Sequence, residues 1–345
     1  MPMTNRILLA PALACSLCLA ILGGCAGGNR SVAIDPQTGR NANDVEAARL
    51  AEEQRLAELP AGLKAPEQVR DLKVFSGTGL EMTWSGLVAR AAASDVVLIG
   101  ELHGHPMGLD AAATLFDDLL ELRPTTTALA MEFFERDEQL HLDDLMTGVI
   151  DHEQFMKTTG RESLQRYPEG HRRMVLAALE RDRPIIAANA PRRYVRLARL
   201  EGFEHLETLL PAQQEQFVIP QNITQGDYKD RFFDLMGGMR GHSEEEVPEG
   251  EDDPMILSFF RSQNVWDATM ADSIVRAHDA GSYPVVLVVG QFHTDHEGGT
   301  TSRVRELRPG ARVMTVSVQP VWSLELREED FNRADAVIYV GPSDE

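Results

Sequence analysis

Two stretches of the chain place imidazoles and acids at the same point after an apolar run. Residues 96–106 read VVLIGELHGHP and residues 285–296 read VVLVVGQFHTDH. Each contains a G-x-x-H, Gly100 to His103 and Gly290 to His293, in which the glycine lets the chain turn sharply and the histidine can point back over the end of the run. A third run, TALAMEF at 127–133, embeds Glu132 between Met131 and Phe133, where a carboxylate is costly unless it is paired, hydrogen-bonded or bound to a cation. The chemistry open to Glu101, His103, Glu132 and His293 is acid–base or metal chemistry. His103, Glu132 and His293 would hold a divalent ion with an open position, which acidifies a bound water and polarises a carbonyl. Whichever of Glu101 and Glu132 does not ligate would then serve as general base. A metal-free variant uses His103 as base with Glu132 orienting it.

Plainer roles compete for the neighbours. His105, followed by Pro106, suits the start of a helix, and Glu101 could simply pair with an arginine. Asn189 suits a loop carbonyl, and Asp295 and His296 suit a solvated loop. The histidines at 141, 152, 171, 205, 242 and 278 show no pairing in the sequence and read as surface or satisfied core residues.

The elements that must carry these residues follow from periodicity. Apolar, β-rich runs at 95–100, 127–133, 183–191, 283–290, 311–319 and 335–341 alternate with helical patterns at 108–122, 135–147, 170–182 and 299–308. Continuous apolar strands separated by helices predict an α/β fold with a mainly parallel central sheet flanked by helices, plus a mostly helical segment over about 192–280. Right-handed crossovers put the strand C-termini, and hence Glu101, Glu132 and His293, on one edge, where such sheets bind ligands. The acid run EEEVPEGEDDP at 244–254 reads as a solvated loop.

The 345 residues carry 54 acids against 33 bases, a formal charge of −21 that argues against a nucleic-acid partner. All three cysteines lie within the first 25 residues, so the folded body has no disulfide framework and no thiolate metal site. Arg6, the apolar stretch that follows and the small residues before Cys25 read as a secretory signal over 1–24. Its end, Leu22-Gly23-Gly24-Cys25, resembles the bacterial lipobox, which implies acylation of Cys25 and a lipid bilayer as partner. Ala26 in place of an aspartate implies, by resemblance to Gram-negative sorting rules, an outer-membrane lipoprotein facing the periplasm. Residues 25–65 then form a lipidated tether with a helical stretch, and 66–345 form the body.

Five blocks in order resemble one known family. SDVVLIGELHGHPMG, LAMEFFERDEQLHLDDLMTG, IIAANAPRRYVRLARLEG, RSQNVWDATMADSIV and VVLVVGQFHTDHEGG are similar to the ChaN family of haem-binding lipoproteins, within the haem-binding uptake/Tiki superfamily. The resemblance implies a haem- or small-molecule-binding protein in iron uptake, with a homodimer as the assembly to look for. Related Tiki proteins and erythromycin esterases imply the alternative, a hydrolase (metal-dependent in the Tiki case) using Glu101, His103, Glu132 and His293, with Arg261 and Gln263 at the rim. Haem ligation in the family is attributed to tyrosine, and Tyr167 in LQRYPEGH is the residue this points to. The stretch DRFFDLMGGM at 230–239 either lines an apolar haem slot or is an ordinary amphipathic helix. A lipoprotein with an inert ancestral site is the third reading.

Overall fold

The computed structural model describes residues 66–239 and 252–343. The expected signal, Cys25 and the tether, and nearly all of the acid run, lie outside the described residues. Eight strands form one sheet: β1 (Lys73–Ser76), β2 (Glu81–Met82), β3 (Val96–Glu101), β4 (Ala128–Glu135), β5 (Ile185–Asn189), β6 (Val285–Gly290), β7 (Val313–Gln319) and β8 (Ala336–Tyr339). The helices are α1 (Trp84–Ala92), α2 (Pro106–Leu122), α3 (Gln139–Met146), α4 (His152–Thr158), α5 (Glu169–Glu180), α6 (Arg192–Glu201), α7 (Phe203–Glu207), α8 (Pro211–Gln214), α9 (Asp227–Met239), α10 (Pro254–Asp279) and α11 (Gly299–Leu307). None in the described residues is long and apolar enough to cross a membrane.

The sheet order is β2-β1-β8-β7-β3-β6-β4-β5. From β8 to β5 every pairing is parallel, while β1 runs antiparallel to β8 and to β2. The α/β architecture expected from the sequence is therefore present, with an antiparallel hairpin added at one edge.

The strands at the centre are buried on both faces, which is why they read as unbroken apolar runs. Alternate residues serve opposite layers. Val97, Ile99, Val286 and Val288 pack with α1, α2 and α5 on one face. Val96, Leu98, Leu287 and Val289 pack with Met270, Ala271 and Ile274 of α10 and Val304 of α11 on the other. The start of α2 is set by Pro106 at its first turn and by His105, whose Nδ1 accepts from the Gly108 N–H at 3.1 Å. One irregularity matters for the site. β4 pairs Met131 with Ala187 and next Glu135 with Asn189, so four residues of β4 advance against two of β5. Glu132 lies in that bulge, a device that re-aims side chains at a sheet edge.

Candidate functional site

Three neighbouring strands, in the order β3-β6-β4, bring their C-terminal ends together. β3 delivers Glu101 and then His103. β6 ends at Gly290 and passes into a 3-10 turn, Gln291–His293. The bulged part of β4 delivers Glu132.

Each imidazole is held by a buried carboxylate. The His103 Nδ1–H donates to Glu101 Oε1 at 3.0 Å. Glu101 is 3% exposed, and its second oxygen accepts from His171 Nε2 of α5 at 2.7 Å. Burial alone would raise Glu101, but His171 and His103 outweigh it and hold the carboxyl down to about 2. In return the Glu101 hydrogen bond lifts His103 to about 9, against a burial cost and with help from the Glu132 charge. On the far side of the sheet edge, the His293 Nδ1–H donates to Asp267 Oδ1 of α10 at 2.7 Å. Asp267 is fully buried and also accepts from the Thr300 hydroxyl at 2.7 Å and the Tyr228 hydroxyl at 2.8 Å. Burial works against the His293 cation, yet Asp267 and Glu132 keep its pKa above the ordinary value. Glu132 sits between the two pairs. Its Oε2 accepts from the Gly290 N–H at 2.7 Å, and its Oε1 lies 3.7 Å from His293 Nε2.

Gly290 leaves the room for this meeting. A Cβ there would come within 2.9 Å of His103 Nε2 and 3.5 Å of Glu132 Oε2. The four strand-end residues singled out in the sequence therefore share one place, with one dyad anchored from each helical layer. Such a centre can move or hold protons at two imidazole Nε2 atoms on either side of a carboxylate.

The expected divalent ion is a different matter. Among the described residues no group of three or more His, Cys, Asp or Glu side chains is arranged to hold a metal ion. A divalent ion held by His103, Glu132 and His293 is therefore not supported by the arrangement of the described residues. Glu101 and Asp267 take both Nδ1–H groups and one Glu132 oxygen accepts a backbone N–H, which leaves the two Nε2 atoms and Glu132 Oε1 facing the centre.

The remaining expectations sort cleanly. His105 caps α2 and its Nε2–H donates to the Gly341 carbonyl at 2.9 Å. Asn189 accepts from the Ala190 N–H at 2.9 Å, within its own turn. Asp295 pairs with Arg333 at 2.7 Å and is buried, not solvated. Burial, with Arg333 and Arg231 nearby, pushes His296 down to about 4. Gln263 does face the cluster, donating to the Tyr228 oxygen at 2.9 Å, whereas Arg261 turns away to the Arg199 carbonyl. Tyr167 is 2% exposed and its hydroxyl has no hydrogen-bond partner. Phe232 of α9 packs with Tyr228, Ile256 and Phe260 as an ordinary core cluster, with Phe233 and Phe292 against it.

Two participants escaped the sequence reading. Asp267 lies inside a long, largely apolar helix, flanked by Trp266 and Ala268, where a lone acid on the buried stripe is the signal to look for. His171 sits in the first turn of α5, after the N-cap Pro168, and no local pattern in the sequence marks it as turned inward.

Comparisons with known proteins bear on the same region. A family model described as haem-binding uptake, Tiki superfamily, ChaN matches residues 87–304. No curated protein matches the chain. Among solved structures, one described as cofacial haem binding to ChaN of Campylobacter jejuni superposes with a TM-score of 0.58 at 16% identity, covering 77% of this chain and 96% of that one. A succinoglycan biosynthesis protein gives 0.42 at 12% identity, covering 79% and 76%. An erythromycin esterase in its open conformation gives 0.40 at 13% identity, covering 76% and 80%. At 16% identity the likeness to the Campylobacter protein is one of fold.

Proposed function

Since the chain belongs to the ChaN family of the haem-binding uptake, Tiki superfamily, we propose that it is a haem-binding protein that serves haem handling or iron uptake. In this reading acyl chains on Cys25 hold it at the outer membrane, facing the periplasm. The observation that carries the reading is the reach of the family match. Residues 87–304 take in β3 and everything through most of α11, and with them every member of the strand-edge cluster and Tyr167.

The donors present suit the group. Haem brings an iron with axial positions for nitrogen or oxygen ligands, and two carboxylates. For the iron, His103 offers a half-exposed imidazole steadied from behind by Glu101, and the buried Tyr167 hydroxyl, which no protein atom satisfies, is left for an oxygen of the ligand. The test is a titration of the full chain, in detergent, with hemin. A saturable shift of the Soret band is the expected result, and an unshifted band overturns the reading. In cells, Cys25→Ser should release the protein from the membrane fraction; retention there removes the anchor from the proposal.

Hydrolysis without a metal is the second reading, favoured by one observation. His103 has a buried carboxylate behind its Nδ1 and is lifted to about 9, which makes it a proton donor at neutral pH and a general base above that. Glu101 supplies that carboxylate, in the place the sequence suggested for Glu132. Ester turnover by the full chain that disappears in His103→Ala would put this reading first.

A further inference from the structure

Buried polar atoms in folded proteins nearly always find partners. One place in this fold departs from that rule four times over, the His171 Nδ1 being one of the atoms. The His152 Nε2, the Tyr167 hydroxyl and the Arg172 Nε are all buried and without a hydrogen-bond partner. The His152 and Tyr167 rings lie 5.8 Å apart, and Arg172 follows Tyr167 at the start of α5, its charge felt at His152 and, after that of Arg161, at Tyr167.

Arg172 stands out for a second reason. The chain holds 54 acids against 33 bases, so arginines here have carboxylates to spare. Arg173 pairs with Asp110 and Asp117, and Arg161 pairs with Glu138. Arg172 makes no ion pair and no side-chain hydrogen bond among the described residues. The residue is partly buried in the first turn of α5, next to His171, with its Nε buried.

We propose that His152, Tyr167 and Arg172 form a binding site for a carboxylate group. The chemistry of the three atoms is complementary to that ligand. A guanidinium, a phenol and an imidazole all donate, and the guanidinium also supplies the opposite charge. Water would satisfy each atom singly, whereas a carboxylate also brings the charge opposite to the guanidinium. The walls are aromatic: Phe133 stacks on the Tyr167 ring at 5.7 Å and 10°. Phe133 also lies against His171, whose Nε2 holds Glu101, so the site backs directly onto the strand-edge cluster. The inference rests in part on the haem reading, because haem carries two carboxylates and is one source of the ligand. A free small carboxylate is the other.

The experiment uses the full chain in detergent with hemin, hemin dimethyl ester and acetate as probes. Soret titrations compare the two porphyrins, and the ¹⁵N signal of the Arg172 Nε follows acetate. If haem is the source, hemin binds at least about 10-fold tighter than its diester, since a charge-assisted pair is lost on esterification. Arg172→Met, which keeps the aliphatic stem, and Tyr167→Phe, which removes one oxygen and opens no cavity, each bring that ratio toward one. If a free carboxylate is the source, the porphyrins bind alike, and acetate moves the Arg172 signal saturably in the wild type but not in Tyr167→Phe. A ratio of one together with an unmoved Arg172 signal overturns the site and leaves water as its occupant. So does a hemin preference that survives both substitutions. Should the wild type bind neither porphyrin while acetate still moves Arg172, the haem reading falls and the carboxylate site stands.

Discussion

The side chains of this centre carry opposite costs, and each can be measured. An unsatisfied buried hydroxyl costs roughly 1–3 kcal/mol, and Tyr167 carries one. Tyr167→Phe should therefore raise the stability of the ligand-free protein by about 1 kcal/mol, read as a higher urea midpoint at unchanged slope. A drop in the midpoint would show that the oxygen already has a partner. Glu101 and His103 work the other way, each stabilising the charged form of its partner. Glu101 is held down to about 2 from an ordinary 4.5, so its contribution is complete above pH 4.5 and is lost as the pH falls toward 2. His103 is lifted to about 9 from 6.5, so its contribution is complete below pH 6.5 and is lost as the pH rises through 9. The stability gap between wild type and His103→Ala should thus shrink between pH 6.5 and 9. A gap that stays constant across that window would mean the ring is not lifted by Glu101.

At the scale of elements, glycines decide how closely strand, turn and helix approach. Gly299 opens α11 where a Cβ would sit 2.1 Å from Asp267 Oδ2 and 2.6 Å from the Tyr228 ring. Neither can retreat, since Asp267 is fully buried and held by three hydrogen bonds. Gly299→Ala should destabilise by about 1–3 kcal/mol through overpacking. Gly290→Ala makes the contrasting case, because its Cβ meets the far end of the half-exposed His103 ring. That variant should fold with near-normal stability while the His103 pKa, followed by NMR, drops toward its ordinary value. Equal effects of the two substitutions would contradict this account. The same scale explains what the sequence could and could not reveal. β3, β6 and β7 are legible because burial on both faces writes them as unbroken apolar runs. The β1–β2 hairpin is not, since four and two residues are too few to show a period. His103 and His293 are legible because each follows a glycine that closes such a run. Asp267 and His171 are not, because an acid or imidazole within a helix ordinarily faces water, and only the packing of the second layer turns it inward.

For the molecule as a whole, net charge sets the dominant long-range term. At −21 the chain repels itself, and added salt screens that repulsion more than it weakens scattered surface ion pairs. The urea midpoint should rise between low and physiological salt at neutral pH. A fall would show that local pairs, such as Arg312–Asp95, outweigh the global field. Sequence reading reaches this scale well for sheet architecture. It reaches the centre only halfway, because a site built from both sides of a sheet is closed by residues that share no local pattern.

That two-sidedness has a practical corollary for anyone recombining relatives of this protein. The brace behind one imidazole hangs from α5 and the brace behind the other from α10. A chimera that swaps one helical blanket and keeps the other would inherit half of the bracing from each parent. Crossover points chosen along the chain will miss this, and only those that move α5 and α10 as a matched set keep both rings aimed.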